Sequence, residues 1–508
     1  MRHVARIAVV LVSLAAGAGA PAALAAAPAQ IGTNGDRPVI AVDSAGVGHI
    51  AWEDRATGGV RSCTVPAGAA TCTAALLPAP ELQAGGVGTL NIFAPTPSHI
   101  VIYGNATQCN GTTSPLNSLI EYESNDGGAS FTKACRTPVA GAGVTPTGGK
   151  NFLDGAGRFI SGGGAASGLY VLGVDPAGDI TDNQQDPAHQ IFATENFYDV
   201  ATAVGGSGAS SYLVAAAYSL DGTQPGIVYS VFNQAPDTSS TADLGDATKW
   251  TTGISLPNTA KTIDPPNLVS GPSGLFVVYQ DQSVVGNERI GVDKFDPATR
   301  RFGPEVRVTP GPGETNQTLE DAYEDASGRI HVIWNSSAGT DSAVSTDGGR
   351  SFQVLGIVTT DTPIARDVAA GADGRGWVVY IGEPPANAVL LAPLPVPPKT
   401  TTVQAPGASI TFGVPQGCVQ PNSTFKVTLS FKRKKKKGNL FVKVSRTDFY
   451  IGAKVVKIDT AAPFVQTLKV TASAKRGSTI ALRARAYIKV RHGKVPKKSI
   501  RSSIKVCA

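Results

Sequence analysis

The chain has 508 residues and a formal net charge of +6; only 16% of its residues are charged, and it holds 58 Gly, 35 Pro and a single Met. That length permits two or three domains with well-buried cores, while the weight of Gly, Thr, Ser and Val and the lack of long helical periodicity exclude a helical bundle or coiled coil. The expected fold class is all-β.

Residues 1–25 read as a signal peptide. Arg2 and Arg6 precede the apolar run from Ile7 to Leu14, and Ala23-Leu24-Ala25 offers a small-x-small cleavage site. The run is too short, and too soon broken by Gly, Ala and Pro, to read as a membrane anchor. No later segment approaches the about 20 apolar residues of a membrane span. A secreted, extracellular protein is expected, either released or held at the cell envelope by something other than a helix. Six cysteines suit that address, and their nearest-neighbour pairing is Cys63–Cys72, Cys109–Cys135 and Cys418–Cys507, one of 15 combinations. With no CxxC and only six His, no metal site is expected. No cofactor is expected either.

From about residue 30 a unit repeats. A short apolar run ending in an aromatic follows a Gly-containing turn: "GHIAW" ends at Trp52, "HIVIY" at Tyr103, "VAAAY" at Tyr218, "LFVVY" at Tyr279, "IHVIW" at Trp334 and "GWVVY" at Tyr380. A weaker copy, "GRFISG", puts Gly162 at the aromatic position, and successive gaps are 51, 59, 56, 61, 55 and 46 residues. Some 50 residues suits a four-stranded antiparallel blade, and radial repetition hides most sheet edges. A parallel β-solenoid would have a much shorter period. Residues 30–390 are therefore expected to form a β-propeller of seven blades, with six as the alternative.

Two polar turns share one spelling. "SNDGGASF" runs from Ser124 to Phe131, and "STDGGRSF" from Ser345 to Phe352. Asp126 and Asp347 can accept bonds from amides of their own turn, Gly128 and Gly349 permit positive φ, and Phe131 and Phe352 can anchor the turn between sheets. The pattern S-x-D-G-G-x-S-F resembles the Asp-box (BNR repeat) of the sialidase-like propellers. In that family the box joins the outer strands of a blade, so both aspartates are expected to be turn staples on the rim, remote from catalysis.

Propellers bind ligands at one mouth of the central channel, beside the loops leading into the inner strands. Stepping back from each repeat nominates Arg37, Lys150, Tyr198, Asp199, Asp264, Glu320, Asp321 and Arg366. Mixed charges converging on a concave surface suit a polar ligand, a glycan among them. Exposed loops are also polar for no functional reason. The sialidase resemblance implies three arginines around a sugar carboxylate, a Tyr–Glu nucleophile and an Asp acid/base. Asp36-Arg37-Pro38 keeps the arginine of the family's early motif without its aromatic and Ile, and Arg366 is a second candidate. Tyr198 near Glu195, or Tyr323 beside Glu324, are the tyrosines to consider.

Residues 391–407, within "LLAPLPVPPKTTTVQAPG", read as a Pro-rich linker, after which the composition changes. After residue 400 there are 23 Lys+Arg against Asp448 and Asp459, a formal +21; before it 21 stand against 36, giving −15, or −17 without Arg2 and Arg6. The segment 408–508 alternates with period two. Ile480, Leu482, Ala484, Ala486, Ile488 and Val490 oppose Arg483, Arg485, Tyr487, Lys489 and Arg491. An immunoglobulin-like β-sandwich follows, with residues 424–444 as a hairpin around Lys434, Lys435, Lys436 and Lys437. Such an excess of positive charge suits an anionic cell-wall or surface polymer. Nucleic acid is not expected as partner, since exported chains seldom meet it and no aromatic platform stands out beyond Tyr487. The alternative use of the charge is docking onto the acidic propeller.

These readings combine into a secreted, non-catalytic binding or adhesion protein. The alternatives are a sialidase-type exo-glycoside hydrolase and a structural surface protein with docked halves.

Overall fold

The computed structural model describes residues 28–78, 87–109, 112–136, 150–153, 159–165, 168–174, 190–192, 197–207, 210–219, 226–233, 244, 247–256, 265–281, 288–308, 317–337, 339–361, 366–382, 387–396, 398–405, 407–415, 418–419, 422, 424–433, 441–462, 464–490 and 496–506. Apart from one 3-10 turn, Ala247–Lys249, the described elements are strands. No described helix is long and apolar enough to cross a membrane. The chain divides into two compact units, Leu24–Pro397 and Pro398–Ala508.

The first unit is a β-propeller whose described strands form seven antiparallel sheets. Six begin with the inner strands Gly35–Val42, Val87–Phe93, Phe152–Leu153, Phe197–Gly205, Asn267–Gly271 and Thr318–Glu324, and each proceeds outward in chain order. The seventh runs Arg366–Ala370, Gly376–Ile381, Val389–Pro393, and its outermost strand is Ala29–Gly32 from the other end of the unit, paired as Ala29↔Leu391 and Gln30↔Leu390. One sheet thus holds both ends, and the ring closes through a ladder of backbone hydrogen bonds.

All seven copies of the repeated run fall on the second strand of a sheet. Trp52, Tyr279, Trp334 and Tyr380 are fully buried and pack against the preceding sheet. Tyr103 differs. Aligned on the two Ser-x-Asp-Gly-Gly turns, it stands opposite Asn91 as Ile333 stands opposite Asp321, one place before Trp334. It consequently faces the third sheet, stacked on Phe159 at 4.3 Å. At Gly162 no side chain is possible, because a Cβ there would collide with the Val200 side chain.

The two polar turns satisfy themselves with one and the same network. Ser124 Oγ donates to Asp126 Oδ1 (2.8 Å) and accepts from Gly128 N (2.8 Å), while Asp126 accepts from Ser130 N (2.9 Å) and Ser130 Oγ (2.6 Å). Ser345, Asp347, Gly349 and Ser351 repeat this at 2.9, 2.9, 3.0 and 2.6 Å. Gly128 and Gly349 adopt φ of 87° and 81°, which a side chain would strain. Phe131 packs with the core between the first two sheets, Phe352 with that between the fifth and sixth. Cys63–Cys72 is a disulfide, adjoining the core between the first and seventh sheets. The side chains of Cys109, Cys135, Cys418 and Cys507 lie outside the described residues.

The second unit is a two-sheet β-sandwich. Lys399–Ala405, Ala408–Val414, Thr424–Arg433 and Phe464–Lys469 form one sheet in that order. Cys418–Val419, Lys497–Val506, Thr479–Val490, Phe441–Ile451 and Lys454–Asp459 form the other, the first pair being parallel. Ile410, Phe412, Val427 and Leu429 from one sheet meet Val444, Phe449, Ala484 and Ile488 from the other in a single core. Two expectations need correcting. The segment 391–407 is not a free linker, since its Thr/Val-rich part is the strand Lys399–Ala405 and its start completes Val389–Pro393. Residues 424–444 are not a hairpin. Thr424–Arg433 and Phe441–Ile451 belong to opposite sheets, because each needs its apolar face on the shared core. Lys434 to Lys437 and Arg491 lie outside the described residues.

Trp334→Ala should lower unfolding free energy by about 3–5 kcal/mol, read as an earlier propeller transition in denaturant. For Asp126, bonds from the Ser130 hydroxyl and amide, then the Ser124 hydroxyl, pull the carboxyl down to about 2. A depressed folded pKa stabilises fully above the unfolded value near 3.8 and loses that contribution as pH falls through 2. Asp126→Ala should therefore flatten the acid-side fall in thermal midpoint between about pH 4 and pH 2.

Candidate functional site

A cavity of about 830 Å³ occupies the propeller's central channel and extends into the cleft between the second and third sheets. Inner strands supply its floor. Asn91, Asn151, Asn267, Asp321 and Asp367 stand at comparable places, at or just before five inner strands, and all line it. Tyr103, Glu121 and Glu123 from the second sheet, with Phe93 and Leu153, form the side wall. His99 Nε2 lies 3.0 Å from Glu123 Oε1 there.

Local irregularity aims these groups. In Thr318–Glu324 the pairing skips Glu320, since Leu319 faces Trp334 and Asp321 faces Ile333. The extra residue puts Leu319 and Ala322 on the same apolar face and leaves Asp321 and Tyr323 for the channel and the next sheet. Asp321 then accepts from Val368 N of the seventh sheet (2.8 Å), and Asp367 accepts from Ile40 N of the first (2.8 Å). Two carboxylates thereby tie three consecutive sheets together around the channel.

Lys150, just before the third sheet's inner strand, reaches the same point from another side. Its Nζ lies 2.6 Å from Asp321 Oδ1 and 3.4 Å from Asp367 Oδ1, donates to Ala322 O (2.8 Å) and stands 6.0 Å from the Tyr323 ring centroid. Burial opposes the ammonium, yet Asp321 and then Asp367 outweigh it and hold the Lys150 pKa above the ordinary lysine value. Burial pushes Asp321 well up, against the pull of Lys150 and with the repulsion of Asp367. Burial also raises Tyr323 to about 12, so its hydroxyl keeps its proton. Beside this cluster Arg366 Nη1 meets Glu320 Oε1 at 2.6 Å, and Asn335 Nδ2 donates to the same oxygen at 2.7 Å. The Arg366 side chain is 0% exposed.

Of the residues nominated from sequence, Lys150, Glu320, Asp321 and Arg366 come together here. Arg37 does not. A bulge between Asp36 and Val39 sets its φ at 45°, and its side chain, 52% exposed, turns outward to Glu53 at 3.9 Å while Pro38 lines the cavity. Asp264 and the side chains of Tyr198 and Asp199 lie outside the described residues. Glu324 turns away from Tyr323 to accept from Ser273 N (2.6 Å), so the two do not form a nucleophile pair. Among the described lining residues Arg366 is the one arginine. Sequence reasoning missed Asp367, Asn91, Asn151 and Asn267. The available signal was an Asx followed by an apolar residue in these four of the seven repeats, in "LNIF", "KNFL", "PNLV" and "RDVA".

No protein-family model and no curated protein sequence matches the chain. Structural similarity is found at low identity. The NanB sialidase from Streptococcus pneumoniae matches at 9% identity and a TM-score of 0.42, covering 74% of this chain and 70% of that one. A puromycin hydrolase matches at 12% and 0.44, with 78% and 62% covered, so this chain spans less than two thirds of that protein. The polysaccharide lyase Uly1 matches at 9% and 0.33, with 74% and 93% covered. The likeness to sialidase-like proteins is one of fold.

Lys150→Met would leave two carboxylates together without their counter-charge and should cost about 3 kcal/mol at pH 7. The loss should be smaller at pH 5 than at pH 7, because burial favours the protonated form of Asp321 and lowering the pH favours it further, and adding Asp321→Asn should restore part of it. Denaturant unfolding of the three proteins at both pH values checks this.

Proposed function

We propose that the protein is a secreted, non-catalytic binding protein whose propeller cavity recognises a neutral, hydroxyl-rich ligand such as a glycan. Its basic C-terminal sandwich would attach the protein to an anionic envelope polymer. The observation that carries the first part is the internal pairing of Lys150 and Arg366 in the cavity. Lys150 is matched by Asp321 and Asp367, and Arg366 by Glu320. A sugar carboxylate would have to compete with those partners for the cations, at the desolvation cost of leaving buried acids unpaired. A polyol needs only acceptors, amides and an apolar ring face, and Asn91, Asn151 and the partly exposed Phe93 offer these. The leader pattern at residues 1–25 and the Cys63–Cys72 disulfide support export. The formal +21 after residue 400 supports attachment by charge.

A glycan array probed with the full chain tests the cavity reading. Saturable, salt-insensitive binding to neutral oligosaccharides is expected, weakened about 10-fold or more by Asn91→Leu with Phe93→Ala, at about 1–3 kcal/mol for a lost buried polar partner. Preferential binding of sialosides, or turnover of a fluorogenic sialoside, would instead favour the hydrolase.

A further inference from the structure

The outward face of the sandwich's five-stranded sheet holds charge that its own unit cannot neutralise. The two carboxylates after residue 400 are both engaged. Asp448 accepts from Arg446 Nε (2.6 Å) and the Tyr487 hydroxyl (2.8 Å), and Asp459 from Ala461 N (3.1 Å) and Gln466 Nε2 (2.9 Å). Along Thr479–Val490 the core residues Leu482, Ala484, Ala486 and Ile488 alternate with outward Arg483, Arg485, Tyr487 and Lys489. The neighbouring strand sets Arg501 opposite Arg483 and Lys497 opposite Tyr487.

The cations here are oriented as well as numerous. The Arg483 guanidinium lies 3.8 Å over the Tyr450 ring and that of Arg485 lies 5.4 Å from it, while Arg446 and Lys497 flank Tyr487 at 5.1 and 5.3 Å. Stacking fixes a guanidinium plane without using its N–H donors; Arg483 Nε is buried, so its terminal Nη groups form the fork for an oxyanion. Stacking also occupies the rings. Tyr450 is 5% exposed, so a nucleobase or sugar ring finds little aromatic surface to stack on.

We propose that this arginine–tyrosine face is the docking surface for a linear polyol phosphate, an extended polymer with one phosphodiester about every six backbone bonds. The proposal rests on the reading that the C-terminal unit binds an anionic polymer, and adds which face does so and with what chemistry. Outward residues two apart on a strand stand about 6.8 Å apart. Three backbone bonds of an extended peptide reach about 3.5 Å, so a six-bond repeat reaches about 7 Å. Successive phosphates can thus meet Arg483, Arg485 and the row continuing to Lys489. An inorganic polyphosphate, with charges two bonds apart, falls out of step with that row. A single-stranded nucleic acid shares the bond count but brings bases for which the face has no free ring.

Binding of the full chain to a defined glycerol-phosphate oligomer, an oligothymidylate and polygalacturonate, each at two salt concentrations, tests this. Two variants are compared, Arg483→Lys with Arg485→Lys, which keeps the charge, and Lys434 to Lys437 all changed to Gln, which removes a charge run elsewhere in the sequence. Unchanged thermal midpoints establish that both are folded. The expected result is tightest binding of the glycerol-phosphate oligomer, at least 10-fold weaker in the arginine-to-lysine variant with its salt slope retained, and a shallower slope in the lysine-run variant. A less than twofold effect of the arginine changes, or equal affinity for all three polymers, overturns this inference while leaving charge-based attachment standing. No binding to any of the polymers at low salt overturns both.

Discussion

Closing a ring of sheets is the constraint on which the propeller depends. An antiparallel sheet packed on both faces must be apolar on both, and its remaining liability is the exposed edge. Here the strand Ala29–Gly32 crosses over to pair with Val389–Pro393, so the seventh sheet is completed by both ends of the unit. Between sheets, large rings fill the widening gaps. Trp52 sits with Trp377 and Val379, and Trp334 with Phe276 and Val278.

Near the axis the same closure produces a chemical consequence. Inner strands converge, and their ends present backbone amides that apolar side chains cannot satisfy. Asp321 and Asp367 supply acceptors, each reaching the following sheet. A buried and a half-buried carboxylate so close together require a cation, and Lys150 provides it. The charged centre of the cavity is thus first a joint between sheets and only then a surface for a ligand. That order favours a polar, uncharged guest over one that must break the joint.

The sandwich handles charge in the opposite way. Where the propeller matches acids with bases inside its channel, the sandwich spends its two carboxylates on Arg446, Tyr487 and Gln466 and sets Arg483, Arg485 and Lys489 on the outward face of its five-stranded sheet. Tyrosines beneath the arginines keep that face ordered in spite of mutual repulsion.

Period-two alternation and the recurring aromatic were legible in the amino-acid sequence, because strand burial imposes them residue by residue. The repeated runs lie on second strands, Leu482, Ala484, Ala486 and Ile488 lie in the core, and the Ser-x-Asp-Gly-Gly turns satisfy themselves within eight residues. The positions of Lys150, Glu320, Asp321 and Arg366 beside the cavity were legible too, since they are polar residues in or just before inner strands. What tertiary structure alone decided were pairings between segments hundreds of residues apart and the small irregularities that aim side chains. One bulge turns Arg37 outward, and another points Asp321 into the channel. Thr424–Arg433 and Phe441–Ile451 look like a hairpin, yet separate because one core needs an apolar face from each sheet. Local patterns record which face of a strand is buried; only the assembled sheets determine what that face is buried against.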